Sequence, residues 1–85
     1  MTKIDREVLE IGALFEGRLP AAVLSDTLDD VRVNEAGLAL ATLCEHLIEY
    51  DVKVSASEYA RLRSLADFMY PDSFVLTPLA QQVVE

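Results

Sequence analysis

The chain has 85 residues, of which 52 % are hydrophobic, and its 15 Asp and Glu against 7 Lys and Arg give a net charge of −8. This length permits one small domain, residues 1–85, with a modest core, and the high hydrophobic content leaves some apolar surface for a partner. The negative charge argues against nucleic acid and anionic membranes as partners, because their phosphate groups would be repelled, and favours a basic partner or simple solubility.

A first helix is predicted over residues 3–16, where apolar side chains recur at helical spacing. Thr2 and Asp5 have the spacing of a capping pair at its N-terminus. Gly17 is the expected stop, because glycine accepts the left-handed conformation that ends many helices. The predicted buried stripe consists of Ile4, Val8, Ile11 and Phe15.

Two further helices are predicted between Pro20 and residue 50. Pro20 suits the first turn of the second helix, and Asn34 either stops that helix or caps the next one, over residues 35–50. The stripe of the second helix is Val23, Leu24, Thr27, Leu28 and Val31, and that of the third is Leu40, Leu43, Cys44 and Leu47. The opposite side of the third helix carries Leu38, Thr42, Glu45 and Glu49.

A fourth helix is predicted after "YDVKVS", which alternates too briefly for a strand and is interpreted as an extended connection. Ser55 and Glu58 match a capping box, in which each residue's side chain bonds the backbone N–H of the other. An apolar stripe from Tyr59 to Met69 follows, and Pro71 is expected to end the helix.

The tail is predicted to form a short last helix. Thr77 and Pro78 resemble its cap and first turn, and Leu79 and Val83 are expected to lie on it. The predicted fold class is therefore all-α, a compact bundle of four helices plus a short C-terminal helix, forming a single domain.

Negative charge is concentrated in the second and third helices. Residues 26–51 hold seven acids and one base, a net charge of −6 out of the −8 of the whole chain. If these helices are antiparallel neighbours, four of the acids share one surface that would steer a basic partner towards it. Those four are Asp26, Asp29, Glu45 and Glu49. The alternative is that they form the solvated outer faces of two helices.

No set of residues has the spacing of a reactive centre. Cys44 and His46 are two positions apart on a helix and point about 200° apart, so they cannot share a metal ion or form a nucleophile–base pair. Glu45 and Glu49 lack a histidine in register that would complete a carboxylate metal site. We therefore predict no catalytic, cofactor-binding or metal-binding residues, and no enzymatic activity.

The compartment is predicted from cysteine usage and from the start of the chain. One cysteine excludes an internal disulfide, which is typical of a reducing environment. The charged start "MTKIDREVLE" lacks the apolar run of a signal peptide. No apolar stretch approaches the roughly 20 residues of a membrane span. We expect a cytoplasmic protein.

Two segments, "FEGRLP" (15–20) and "NEAGLALATLCEHLIEYDVKVSASEY" (34–59), resemble the MafI-type small immunity proteins. That family typically has a helix ending in a Gly-Arg-Leu-Pro turn, a Glu-x-Gly-x-Ala-Leu-x-x-Leu-Cys-Glu-x-Leu helix, and a Tyr-Asp-x-x-x-Ser connection into the next helix. The matching residues here are Gly17, Arg18, Leu19, Pro20, Glu35, Gly37, Ala39, Leu40, Leu43, Cys44, Glu45, Leu47, Tyr50, Asp51 and Ser55. The resemblance covers roughly residues 4–69.

The resemblance implies a bacterial cytoplasmic immunity protein of a polymorphic-toxin or contact-dependent inhibition system. Such a protein binds its cognate secreted toxin, often a basic nuclease domain at the toxin's C-terminus. We expect steric and electrostatic blockade, in which acids pair with the Lys and Arg that normally contact substrate phosphates. The predicted toxin-binding residues are Asp26, Asp29, Glu45, Glu49 and Asp51. The alternative is a small acidic helical adaptor or homodimeric interaction protein with no toxin partner, and the oligomeric state stays open.

Overall fold

The computed structural model describes residues 2–33, 35–69 and 77–84. Within these ranges the chain is mostly helical, as the sequence predicts. The elements in chain order are α1 (Lys3–Ala13), α2 (Ala21–Arg32), α3 (Ala36–Glu49), β1 (Val54–Ser55), α4 (Ala56–Met69), α5 (Thr77–Ala80) and β2 (Val83–Val84). Two short strands therefore accompany the helices, which an all-α prediction does not include.

Helix α3 supplies the largest share of the core. It contacts α1, α2 and α5. Its apolar residues recur every three or four positions, which places them on one side of the helix. The fully buried ones are Ala39, Leu40, Leu43 and Leu47, each 0 % exposed. Around them pack Val8, Ile11, Phe15, Leu24, Val31, Leu62, Leu65 and Leu79 from the other elements.

Helix α1 begins with the predicted cap and ends earlier than predicted. Thr2 Oγ1 accepts the N–H of Asp5, and the Asp5 carboxylate accepts the N–H of Thr2, each at 3.1 Å. The helix ends at Ala13 rather than residue 16, because the next N–H groups bond carbonyls only three residues back and tighten the chain into turns. Gly17 then adopts a φ of +83°, which L side chains rarely tolerate.

The starts of the next three helices follow local sequence signals closely. Pro20 occupies the N-cap position of α2, one residue before the predicted first turn. Glu35 occupies the N-cap of α3, and Asn34, the predicted stop or cap, lies outside the described residues. The capping box of α4 is confirmed, since Ser55 N–H donates to Glu58 Oε1 at 2.9 Å and Glu58 N–H donates to Ser55 Oγ at 3.1 Å.

The C-terminal segment differs from the prediction. Helix α5 begins at Thr77 as expected but ends at Ala80, so the prediction that Val83 is helical is wrong. Val83 instead begins β2, which pairs in parallel with β1 and places Val54 opposite Val83. The predicted extended connection is thus one strand of a two-stranded sheet. Pro71, the expected end of α4, lies outside the described residues.

Gln82 anchors this segment to the end of α3. Its side chain is buried, and Nε2 donates to the carbonyl oxygens of Leu47 at 2.8 Å and Val52 at 2.7 Å. Its own carbonyl accepts the N–H of Val54 at 3.1 Å. The last carbonyls of a helix have no intrahelical partner. The Leu47 carbonyl accepts the Val52 N–H at 3.0 Å as well as the bond from Gln82, which thereby joins the C-terminal segment to the end of α3.

Candidate protein-binding surface

Helix α2 separates its core residues and its acids onto opposite sides. The buried side carries Leu24, Thr27 and Val31. The Thr27 hydroxyl donates to the carbonyl of Val23 at 2.8 Å, so this buried polar group is satisfied within the helix. At about 100° per residue, Asp26 and Asp29 project from the side opposite the core, and both are exposed.

Helix α3 presents a similar outward stripe. Glu45 and Glu49 are exposed one turn apart, and Leu38, two turns before Glu45 on the same side, is 50 % exposed. Thr42 lies between them and is half-buried. The buried and outward sides of α3 are therefore those that the sequence predicts, and an apolar side chain lies in line with the two glutamates.

The fifth predicted site residue, Asp51, lies in the turn after α3 and not on either helix. It is exposed and has a φ of +51°. Two of the predicted acids therefore lie on the outward side of α2 and two on the outward side of α3, helices that pack against each other, and Asp51 lies beyond the end of α3. We call the outward residues of α2 and α3, together with the turn at Asp51, the acidic surface.

Three acids of this surface have basic neighbours, and all three pairs are exposed or partly exposed. Such pairs contribute only about 0–1 kcal/mol, so the basic side chain of a partner can replace the internal one at little cost. The pairs are Asp29–Arg32, Glu49–His46 at 3.7 Å and Asp51–Lys53 at 3.7 Å. Asp26 and Glu45 form no ion pair with any residue that the structure describes.

Exposed apolar side chains border the acids. Val33, at the C-cap of α2, is 65 % exposed, and Leu38, in the first turns of α3, lies near the same junction. Tyr50, at the C-cap of α3, is 45 % exposed, and its ring centroid lies 6.1 Å from that of His46. Sequence reasoning missed Val33. The signal was available, because Val33 follows Asp29 by one helical turn and so continues the outward side of α2.

Cys44 and His46 occupy the positions expected of structural residues. Cys44 is 2 % exposed, and burial, together with the negative charge of Glu45, raises the pKa of its thiol to about 12. The thiol is therefore protonated near neutral pH and is a poor nucleophile. His46 is half-buried at the edge of the α3 stripe, with Nδ1 3.7 Å from Glu49 Oε1.

Arg18, from the turn that carries part of the resemblance, joins the start of the chain to α4. Its guanidinium donates to Glu58 Oε1 at 3.0 Å and to Oε2 at 2.6 Å, and it also lies 4.6 Å from the ring centre of Phe15. The hydrogen bond from Arg18 holds the pKa of the Glu58 carboxyl below its usual value. Because Glu58 also caps α4, this bidentate contact holds the turn after α1 against the N-terminus of α4.

Neither the comparisons with known proteins nor the search for membrane-spanning helices and metal sites assigns a role to the acidic surface. In the described ranges, no helix is long and apolar enough to cross a membrane. The same residues contain no group of three or more His, Cys, Asp or Glu side chains placed to hold a metal ion. Comparison with protein-family models, with curated proteins and with solved structures finds no match.

Proposed function

We propose that this protein is an immunity protein that binds and neutralises a cognate secreted bacterial toxin domain, in keeping with its resemblance to the MafI-type proteins. The observation that carries the proposal is the acidic surface, where exposed carboxylates and exposed apolar side chains occur together on the outward sides of α2 and α3. The toxin domain is most simply a basic nuclease, because its phosphate-binding Lys and Arg would complement these acids.

The carboxylates mainly raise the rate of association with the toxin and the specificity of binding. Residues 26–51 carry a net charge of −6, and none of the five acids proposed to bind is buried in the core. A field of one sign accelerates association with an oppositely charged partner by roughly tenfold to a thousandfold at low salt. Asp26 and Glu45, which form no ion pair with a described residue, can bind a partner's base without first losing an internal contact.

The apolar side chains supply the desolvated part of the interface. Val33 and Leu38 are at least half exposed, and burying them against the toxin would remove their apolar surface from water. Tyr50 adds an aromatic ring with a polar end, a type of side chain that is enriched at binding hot spots. Charged contacts around these residues would then form the rim of the interface.

The proposed architecture places these groups side by side. In a four-helix bundle, α2 and α3 are antiparallel neighbours, because the connection between them is short. Asp26 then lies about 9 Å from the end of α2 and Glu45 about 14 Å from the start of α3 along the helix axes, at 1.5 Å per residue, so their heights differ by less than about one helical turn. In the proposed mechanism, a toxin bound across both helices presents its phosphate-binding residues to the acids, and the body of the domain then blocks the substrate.

Most residues that carry the family resemblance have structural roles, which supports a common scaffold, whereas Glu45, Tyr50 and Asp51 carry the resemblance and also lie on the acidic surface. Ala39, Leu40, Leu43 and Leu47 are buried in the core, and Ser55 caps α4. The outward residues of α2 fall outside the matching positions. An immunity protein must distinguish one toxin from another, and a shared core with different surface residues permits that.

The test is co-expression with the C-terminal domain of a secreted toxin encoded beside this gene. We expect restored growth, and a purified complex whose affinity falls as salt is raised. Replacing Glu45→Lys and Glu49→Lys together should weaken binding by at least about tenfold, with most of the loss in association rate. Absence of both binding and growth rescue would refute the immunity function.

A matched control variant distinguishes the loss of contacts at the acidic surface from the change in the net charge of the protein. Glu10→Lys with Asp67→Lys changes the net charge by the same amount, and both residues are exposed and lie on α1 and α4, outside the acidic surface. We expect this variant to bind within about threefold of wild type at physiological salt, because screening is strong beyond about 8 Å. Equal losses in the two double variants would show that the acidic surface makes no specific contact. Circular dichroism should be the same for all three proteins.

A further inference from the structure

A second exposed surface lies on the α1–α4 side of the molecule, where a groove of about 460 Å³ runs between the two helices. Phe68 of α4 lines this groove and is 73 % exposed, more than any other large hydrophobic side chain in the described ranges. Ile4, Ile11 and Leu65 form its apolar floor. An exposed aromatic ring that borders an apolar groove is a feature from which an interaction surface can be built.

The charges around this groove are balanced, unlike those of the acidic surface. Its lining includes two bases, Lys3 and Arg61, and two acids, Glu7 and Glu10. Arg61 Nη2 lies 3.8 Å from Glu10 Oε1 across the groove, and both side chains stay largely exposed. The groove therefore presents both signs of charge around an apolar strip, within a chain whose net charge is −8.

We propose that the occupant of this groove is a second copy of the same chain, in a two-fold symmetric dimer. In such a dimer the same patch meets itself, so Phe68 of each copy inserts into the groove of the other. Lys3 and Arg61 of one copy then face Glu7 and Glu10 of its partner. The balanced charges permit this contact, whereas two acidic surfaces would repel each other. The dimer does not depend on the proposed function, and it leaves the acidic surface uncovered.

Two single variants test the role of Phe68. The molar mass of wild type, measured by sedimentation over a range of concentrations, should rise from that of one chain to that of two. Phe68→Ser should raise the dimer dissociation constant at least about tenfold, because truncating a central aromatic anchor removes a hot spot. Val33→Ser, which removes an exposed apolar side chain that does not line the groove, should leave the dissociation constant unchanged.

Charge-swapped partners test the geometry of the contact. Glu7→Lys with Glu10→Lys makes one groove wholly basic, and Lys3→Glu with Arg61→Glu makes another wholly acidic. Each variant alone should be monomeric at concentrations where wild type is dimeric. An equimolar mixture of the two should restore a dimer, which non-specific association of exposed Phe68 cannot explain.

A monomeric mass for wild type at every concentration up to about 0.5 mM, where even weak specific dimers form, would overturn the proposal. A dimer that persists unchanged in Phe68→Ser, or that Val33→Ser disrupts equally, would overturn it as well. Thermal unfolding of Phe68→Ser provides the remaining readout. At a concentration where wild type is monomeric, a large fall in the melting temperature on Phe68→Ser would mean that Phe68 stabilises the folded monomer, and would overturn its assignment to the dimer contact.

Discussion

Replacing Gln82→Ala is expected to weaken the attachment of the C-terminal segment to α3. The side chain is 8 % exposed, and its amide donates two hydrogen bonds, to Leu47 at 2.8 Å and to Val52 at 2.7 Å. Alanine removes both donors and leaves a small void where the amide was. The Leu47 carbonyl keeps the bond from Val52 N–H at 3.0 Å. The loss of hydrogen bonding therefore falls mainly on the Val52 carbonyl.

The expected loss is about 2–3 kcal/mol of unfolding free energy. Each lost hydrogen bond contributes about 1 kcal/mol, and leaving a buried carbonyl unsatisfied costs about 1–3 kcal/mol, of which part is recovered by relaxation or entry of water. A domain of this length has a total stability of about 4–13 kcal/mol. The loss is therefore large, and it corresponds to a fall in melting temperature of roughly 10–20 °C for a domain of this size.

Urea unfolding followed by circular dichroism measures this loss directly. Gln81→Ala is the matched control, because Gln81 is the exposed neighbour of Gln82 and its replacement should change stability by less than about 0.5 kcal/mol. A change below about 0.5 kcal/mol for Gln82→Ala as well would refute the assignment of these hydrogen bonds. Equal losses in both variants would show that the effect comes from the segment as a whole.

Gln82→Glu tests hydrogen-bond donation without a change in size. A carboxylate facing two carbonyl oxygens cannot donate, and burial disfavours its charge, so its folded pKa should rise above the unfolded value of about 4.3. Below the unfolded pKa the neutral acid can donate one bond in the folded protein. The stability of this variant relative to wild type should therefore fall as the pH rises from about 4 through the folded pKa. A loss that does not vary with pH would contradict this mechanism.

Three further predictions concern single residues elsewhere in the domain. Arg18→Ala should cost about 1 kcal/mol at pH 7, since the pair with Glu58 is partly exposed. Because the folded pKa of Glu58 is depressed, the contribution of the pair is present above about pH 4.3, the unfolded value, and is lost as the pH falls through the folded pKa. A difference between the urea midpoints of wild type and variant that does not shrink in acid would contradict it. Gly17→Ala should cost about 1 kcal/mol from the φ of +83° alone, because no atom lies within 4 Å of the added methyl group, and an unchanged melting temperature would contradict this strain. Cys44 should resist alkylation at pH 8 in the folded protein and react fully in urea, whereas rapid labelling of the native protein would show that the thiol is accessible.

Local sequence signals predicted the parts of the structure that form within one or two helical turns. The Thr2–Asp5 and Ser55–Glu58 caps join residues three positions apart, so the sequence contains the whole interaction. Helical periodicity likewise predicted which side of α3 is buried, and hence that Glu45 and Glu49 face outward. Those predictions need only the 3.6-residue repeat and no knowledge of what packs against the helix.

Contacts between distant parts of the chain were decided only by the tertiary structure. Arg18 meets Glu58 across 40 positions, and Gln82 meets Leu47 across 35, and nothing in the local pattern around either residue names its partner. The pairing of β1 with β2 belongs to the same class, because two-residue strands are too short to leave a pattern of their own. The exposure of Phe68 also belongs here, since it depends on where α1 packs against α4. The sequence by itself thus determined the four main helices and their outward acids. The three-dimensional packing determined how the turn after α1 and the C-terminal segment are attached to the other helices, and which apolar side chains stay exposed.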